Sequence, residues 1–372
     1  MKILSLFGTR PEAIKMAPIV KALQNDPFFT SKVCVTAQHR QMLDQVLNLF
    51  ELSPDHDLNI MKEAQDLYDV TSKVLLGVRD VLEQEQPDMI LVHGDTTTCF
   101  AGTLAGFYAQ IPVAHVEAGL RTGDLMAPFP EEANRVMTSR LARLHFAPTE
   151  QARQNLLDEK VEPESIHVTG NSVIDALLWV REKVAEKKEW GQTFSSATET
   201  ILNNRPFVLI TGHRRENLGR GFLDICSAIS TLATRHPDLH FVYPVHLNPK
   251  VQEPVYSILG NKDNIHLIAP LDYAPFVYAM DRCTFILTDS GGVQEEAPSL
   301  GKHVLVMRDT TERPEALAAG TVTLVGTDSE RIISKAEQLL ANIKTGHTDN
   351  SIQNPYGDGK TAERIRQILR LL

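Results

Sequence analysis

Three carboxylates stand where apolar runs give way to turns. Asp95 follows Leu91-Val92-His93-Gly94, Glu117 follows Val113-Ala114-His115-Val116, and Glu131 lies in Pro128-Phe129-Pro130-Glu131-Glu132. Acidic residues at strand ends can line a cleft, and several together support general acid–base chemistry when their surroundings separate their proton affinities. Each could equally cap a helix, a task that suits Asp95 ahead of Thr96-Thr97-Thr98. His213 follows the apolar run 207–210 and Thr211-Gly212. An imidazole there can move a proton or contact a phosphate near neutral pH. The other histidines are dispersed without metal-ligand spacing, so no metal is expected. His93, His115 and His246, also near strand ends, read as packed, hydrogen-bonded residues.

A different chemistry belongs to Thr288-Asp289-Ser290-Gly291-Gly292-Val293-Gln294-Glu295-Glu296. The segment follows a buried strand and opens a helix. Two glycines let the backbone approach a ligand, and the free N–H groups of a first helical turn favour an anion. Ser290, Gly291 and Gly292 are therefore expected to hold a diphosphate, and Glu296, one turn on, can reach back to a ribose diol. A glycine pair by itself fits a flexible turn into a capped helix equally well. Near the N-terminus, Gly8-Thr9-Arg10-Pro11-Glu12 ends the first strand. Arg10 and Lys15 stand at and just inside the helix start, where the dipole disfavours cations unless an anion is bound. A solvated charge pair is the plainer alternative. No glycine-rich dinucleotide fingerprint follows that strand, so a nicotinamide cofactor is not expected.

These groups need a frame, and the chain repeats one rhythm to supply it: a short apolar run, a polar or glycine turn, then a helical period. Lys2–Phe7, 33–37, 89–92 and 112–116 read as strands of a parallel sheet covered on both faces. Pro11 opens a helix whose inward stripe is Ala13, Met16, Ala17, Val20 and Leu23; a second helix carries Leu43, Val46, Leu47 and Phe50. The rhythm restarts near Arg205, with strands at 207–210, 241–243, 265–268, 285–287 and 304–306. The stretch 179–204, richer in Lys, Glu, Ser and Thr, is the expected connector. Two doubly wound (Rossmann-like) α/β domains follow, 1–175 and 176–357, with 358–372 as a final helical stretch. Such a pair places a ligand between the domains, at the carboxyl ends of the strands.

Composition narrows the partners. The 372 residues suit two domains. A net charge of −10 argues against nucleic acid, whose binding needs broad phosphate neutralisation. Cys34, Cys99, Cys226 and Cys283 lack paired spacing, so disulfides are not expected and a reducing cytoplasm fits. No segment is long enough to span a membrane, and the apolar start is too short for a signal-peptide core.

The same segments, in unbroken order over nearly the whole chain, resemble the non-hydrolysing bacterial UDP-N-acetylglucosamine 2-epimerases. The likeness runs through Gly8-Thr9-Arg10-Pro11-Glu12, His93-Gly94-Asp95-Thr96, His115-Val116-Glu117-Ala118-Gly119-Leu120-Arg121 and Pro130-Glu131-Glu132-Ala133-Asn134-Arg135. It continues through Thr211-Gly212-His213-Arg214-Arg215-Glu216, Asp289-Ser290-Gly291-Gly292, Glu295-Glu296-Ala297-Pro298 and Arg308-Asp309-Thr310-Thr311-Glu312-Arg313-Pro314-Glu315. Similarity to the enterobacterial branch extends to Asn354-Pro355-Tyr356-Gly357-Asp358-Gly359. The resemblance implies a glycosyltransferase-B-like fold with the final helix, 358–372, crossing back onto the first domain, a homodimer, and interconversion of UDP-N-acetylglucosamine and UDP-N-acetylmannosamine for cell-surface polysaccharide. It implies anti elimination of UDP to a 2-acetamidoglucal followed by re-addition, with no cofactor. Carried over residue by residue, Asp95, Glu117, Glu131 and His213 match the catalytic set. Arg10, Lys15, Arg135 and Arg313 match diphosphate and substrate contacts, Ser290, Gly291 and Gly292 the phosphate turn, and Glu296 the ribose clamp. Phe276 and the backbone near Leu271 would border the uracil. Gln38-His39-Arg40-Gln41 resembles the segment for a second, regulatory UDP-N-acetylglucosamine, with a polar strand-to-helix turn as the alternative. A retaining glycosyltransferase, a hydrolysing 2-epimerase and a non-catalytic nucleotide-sugar sensor are the rival readings.

Overall fold

In the structure, a computed structural model, residues 1–37, 40–62, 65–186, 194, 205–311, 313–346 and 354–372 are described, without the side chains of Gln41 and Arg215. The near-continuous apolar run Lys2–Phe7 forms β1, buried on both faces as a central parallel strand must be. It is followed by α1 (Arg10–Gln24), β2 (Thr30–Val35), α2 (Arg40–Leu49), β3 (His56–Asp57), α3 (Leu67–Glu85), β4 (Met89–His93) and α4 (Thr97–Tyr108). Then come β5 (Val113–Val116), α5 (Glu131–Leu141), β6 (Leu144–Ala147), α6 (Glu150–Asp158), β7 (Ile166–Val168) and α7 (Ser172–Glu186). The sheet is parallel, in the order β3-β2-β1-β4-β5-β6-β7. All five residues of the α1 stripe are fully buried. The second strand stops at Val35, and Ala37 takes a φ of +53°, so the stretch expected to end at 37 ends two residues earlier.

A second parallel sheet is built from β8 (Phe207–Thr211), β9 (His240–Pro244), β10 (Ile265–Ile268), β11 (Phe285–Thr288), β12 (Val304–Val306) and β13 (Val322–Leu324), in the order β10-β9-β8-β11-β12-β13. Its core joins Phe222, Ile225, Ile229 and Leu232 of the helix Arg220–Arg235 to Phe241, Phe285 and Leu287 of the strands. Contacts divide the chain into Met1–Ala176 with Tyr356–Leu372, and Leu177–Pro355. The final helix Thr361–Arg370 belongs to the first unit. Asp175 accepts from its Thr361 and Ala362 N–H groups at 3.2 and 2.8 Å, and Asp26 pairs with Arg366 and Arg370. The stretch expected as a connector begins as helix, since Trp179 lies well inside α7; 187–193 and 195–204 fall outside the described residues.

Candidate functional site

In each sheet the strand order reverses once, between β1 and β4 and between β8 and β11. Chain connections leave in opposite directions there, opening a crevice at the carboxyl ends of the strands. In the first unit the turn after β1 is held tightly. A Cβ on Gly8 would lie 2.0 Å from the Thr36 hydroxyl and 2.7 Å from that of Thr98. Thr9 caps α1, and Glu12 completes the capping box by accepting from the Gly8 and Thr9 N–H groups at 3.1 and 2.8 Å. Its other oxygen accepts from the Thr96 hydroxyl at 2.7 Å. Burial pushes the Glu12 carboxyl up while these hydrogen bonds pull it down. Glu12 is thus a brace joining the turns after β1 and β4. Arg10 is half-buried and makes no hydrogen bond or ion pair with the described residues, so its guanidinium is available to an anion.

Asp95 does not cap α4. Thr96 does, accepting from Cys99 N–H at 3.1 Å, which releases the Asp95 carboxylate to pair with Arg135. Arg135 also reaches Glu132 at 3.0 Å, and Asn134 of the same helix donates to the Asp95 carbonyl at 2.9 Å. The Glu132 carboxylate in turn accepts from Thr122 and Gly123 N–H, each at 3.0 Å. Helix α5 is thereby fixed against the β4 turn. Glu131, its first residue, is half-buried, and its carboxylate makes no hydrogen bond or ion pair with the described residues.

Glu117 has a φ of +61°, a left-handed conformation that non-glycine residues seldom adopt and that clusters at functional sites. The strained backbone aims one carboxylate oxygen at the Lys15 ammonium and at Asn171 Nδ2, the latter at 2.7 Å. The other oxygen lies 4.0 Å from His93 Nε2. Lys15 and Glu117, 102 residues apart in sequence, are therefore one ion pair. Burial holds His93 down at about 4 and His115 at about 3, so both imidazoles are neutral near pH 7. His115 Nε2 meets the Gly94 carbonyl at 2.7 Å, as expected of a packed histidine. His93 departs from expectation: it is buried, yet neither ring nitrogen has a hydrogen-bond partner among the described residues. His246 is hydrogen-bonded as expected, its Nδ1 accepting from Asn248 N–H at 3.1 Å, but it is exposed and stacked on His213.

In the second unit Asp289, at the end of β11, organises the turn after the neighbouring β8. Its Oδ2 accepts from the N–H groups of His213 and Arg214, each at 2.9 Å, and from Asn217 Nδ2 at 3.3 Å. His213 stacks on His246 with centroids 5.1 Å apart. Burial lowers its pKa most; Asp289 opposes this, while His246 and Arg214 reinforce it. Ser290 precedes the short helix Gly291–Glu296 without capping it through its side chain. A Cβ on Gly291 would lie 3.6 Å from the Arg313 guanidinium and 3.7 Å from that of Arg214, so two cations converge on the glycine turn. Arg313 is oriented by the buried Glu295. Glu296 is buried, takes a hydrogen bond from the Tyr273 hydroxyl, and keeps its other oxygen 3.9 Å from where a Gly292 Cβ would be. Leu271 and Phe276, both half-buried, flank Tyr273 in sequence, at and within the helix Tyr273–Arg282.

The structure thus brings Lys15 to Glu117 and Arg135 to Asp95 in one unit, and in the other Arg313 to Gly291 and both Glu296 and Ser290 to Gly292. Sequence reasoning gives no role to Asn171, Tyr273, Arg214 or Asp289. For the last two a signal exists, since each adjoins a strand-end site residue. Gln38 and His39 lie outside the described residues; Arg40 is engaged by Asp44 at 3.0 Å and by Asp57. Among the described residues no group of three or more His, Cys, Asp or Glu could hold a metal ion, and no helix is long and apolar enough to cross a membrane.

Comparison with known proteins gives a consistent result. A family model described as UDP-N-acetylglucosamine 2-epimerase matches residues 21–370. The UDP-N-acetylglucosamine 2-epimerase of Escherichia coli O157:H7 is 57% identical over 370 residues, covering 100% of this chain and 98% of that one. The crystal structure of UDP-GlcNAc 2-epimerase from Neisseria meningitidis bound to UDP-GlcNAc is 52% identical, covers 100% of both chains and superposes with a TM-score of 0.90. A glycotransferase of kitacinnamycin, 9% identical with a TM-score of 0.65, shares the fold alone, which is glycosyltransferase-B-like.

Proposed function

The chain belongs to the UDP-N-acetylglucosamine 2-epimerases, a family of enzymes, and from that premise we propose that it interconverts UDP-N-acetylglucosamine and UDP-N-acetylmannosamine without hydrolysis. The observation that carries this reading is Glu117, held in a strained backbone conformation against Lys15 and Asn171, with Asp95 at the adjoining strand end. The reaction is redox-neutral and needs no nicotinamide. A carboxylate takes the C2 proton, the C1–O bond to the diphosphate breaks, and its electrons leave with UDP, giving 2-acetamidoglucal. UDP then adds back at C1 while a proton is delivered to the opposite face of C2. Because the C2 proton is not acidic, departure of UDP leads or accompanies its removal. Charge on the leaving diphosphate must therefore be stabilised as it develops. Arg313, Arg214 and the N–H groups of the glycine turn supply this, with Arg10 as a further contact. Asp95, Glu117 and Glu131 are the acid–base set; His213 works beside the diphosphate; Glu296 clamps the ribose and Phe276, with the backbone near Leu271, borders the uracil.

The segment Gln38, His39, Arg40 and Gln41 is proposed to admit a second molecule of UDP-N-acetylglucosamine as activator. The product serves cell-surface polysaccharide synthesis in the cytoplasm. A homodimer is favoured by the apolar groove of about 680 Å³ beside exposed Leu76 and Tyr108 on α3 and α4; light scattering should give twice 41.4 kDa.

One experiment in D2O, followed at C2 by NMR, separates the readings. Either epimer should yield two intact nucleotide sugars carrying deuterium at C2. Pure UDP-N-acetylmannosamine should react slowly until a trace of the other epimer is added; an immediate full rate would refute the activator site alone. Free sugar with UDP would mean hydrolysis, and no change would mean transfer or sensing.

A further inference from the structure

The two oxygens of Asp289 keep different company. The carboxylate is fully buried, and its Oδ2 takes three donors: His213 N–H, Arg214 N–H and Asn217 Nδ2. Asn217 is itself anchored on the Met307 carbonyl at 3.0 Å. Oδ1 is buried without any hydrogen-bond partner among the described residues, and His213 Nδ1 stands 3.8 Å from it. A buried carboxylate oxygen lacking a donor is costly, so a small rotation of the half-exposed His213 ring that closes this gap is favoured. The ring is already held in plane by its stack on His246, with only 10° between them.

Resting on the reading that His213 serves the epimerisation, we propose that Asp289 is a positioning residue that accepts Nδ1–H of His213. This keeps the Nδ1 proton on the carboxylate, stabilises the imidazolium, and leaves Nε2–H as the donor presented to the substrate diphosphate. The same carboxylate thus performs two tasks, clamping the backbone of the turn with one oxygen and setting the imidazole with the other. A carboxylate behind an imidazole selects which ring nitrogen works and stabilises the imidazolium form. The charged and titratable groups around His213 are Asp289, which favours that form, and His246 and Arg214, which oppose it.

Asp289→Asn tests this directly. The amide oxygen can replace Oδ2 and keep the two backbone N–H bonds, while the amide nitrogen faces His213 Nδ1 with hydrogens and reverses the tautomer. The expected result is a folded variant whose kcat falls by about 100-fold or more with little change in KM, in line with the effect of a mis-set imidazole. Because the imidazolium is the donor, the alkaline limb of its kcat–pH profile should move to lower pH. Nitrogen NMR of the native enzyme should show His213 protonated at Nδ1, a reading that stands even if the variant does not fold. A wild-type kcat in Asp289→Asn, or a native His213 protonated only at Nε2, would overturn the proposal. His213→Asn separates the two layers: full activity there removes the role of His213 itself, whereas inactivity beside a normal Asp289→Asn removes only the positioning role.

Discussion

Glu117→Gln is expected to lower kcat for epimerisation by about 10³-fold, the middle of the range for removing a positioned acid–base group. The fold should survive the change. The oxygen of the new amide can occupy the place where Glu117 Oε2 receives Asn171 at 2.7 Å, and the left-handed φ is a property of the backbone that both side chains tolerate alike. What disappears is a carboxylate able to take a proton, and with it the negative charge facing the Lys15 ammonium, which keeps the amide oxygen as an acceptor. Deuterium incorporation at C2 should fall in step with epimerisation, because both require the same proton transfer. Near-normal incorporation with slow epimerisation would instead place Glu117 on the opposite face of C2, where it returns the proton; a near-normal kcat would move it to a purely structural role.

Arg313→Met carries the other large effect, and it has two separable parts. The guanidinium stands 3.6 Å from the Cβ position of Gly291, so its loss should weaken UDP binding by about 10- to 100-fold, the equivalent of one charged hydrogen bond. It also holds the buried Glu295, and removing one member of a buried ion pair typically destabilises by about 3–5 kcal/mol. Calorimetry should therefore report a lower Tm and a higher Kd for UDP. Adding Glu295→Gln to the variant should restore much of the Tm and none of the affinity. Recovery of both together would show that Arg313 acts on the nucleotide only through the fold.

The contrast between these two residues and their neighbours shows what a linear sequence reveals. Strands buried on both faces advertise themselves, so β1, β4, β5, β8 and β11 and the turns that follow them are legible. With them come Arg10, Asp95, Glu117, His213 and the Ser290-Gly291-Gly292 turn. Short strands such as β3 at His56–Asp57, β13 at Val322–Leu324 and β6, interrupted by His145, present no such run and go unread. Partnerships across the sheet are equally invisible. Nothing near Asp95 says that Thr96 will take the capping role and leave the carboxylate to Arg135, because the choice depends on α5 arriving beside the β4 turn. Likewise the isolation of His93 and the free oxygen of Asp289 are properties of packing. Residue type places these groups near a site; only their neighbours reveal what each lacks.

In the proposed mechanism the C1–O bond breaks and re-forms in every turnover. UDP-N-acetylglucosamine carrying a heavy oxygen isotope in the bridge between C1 and the β-phosphorus tests it most directly, with phosphorus NMR reading the label's position in recovered substrate and product. Elimination frees the β-phosphate to rotate, so the label should spread to its non-bridging oxygens at least as fast as the epimers interconvert. Epimerisation with the label still wholly in the bridge would contradict the account.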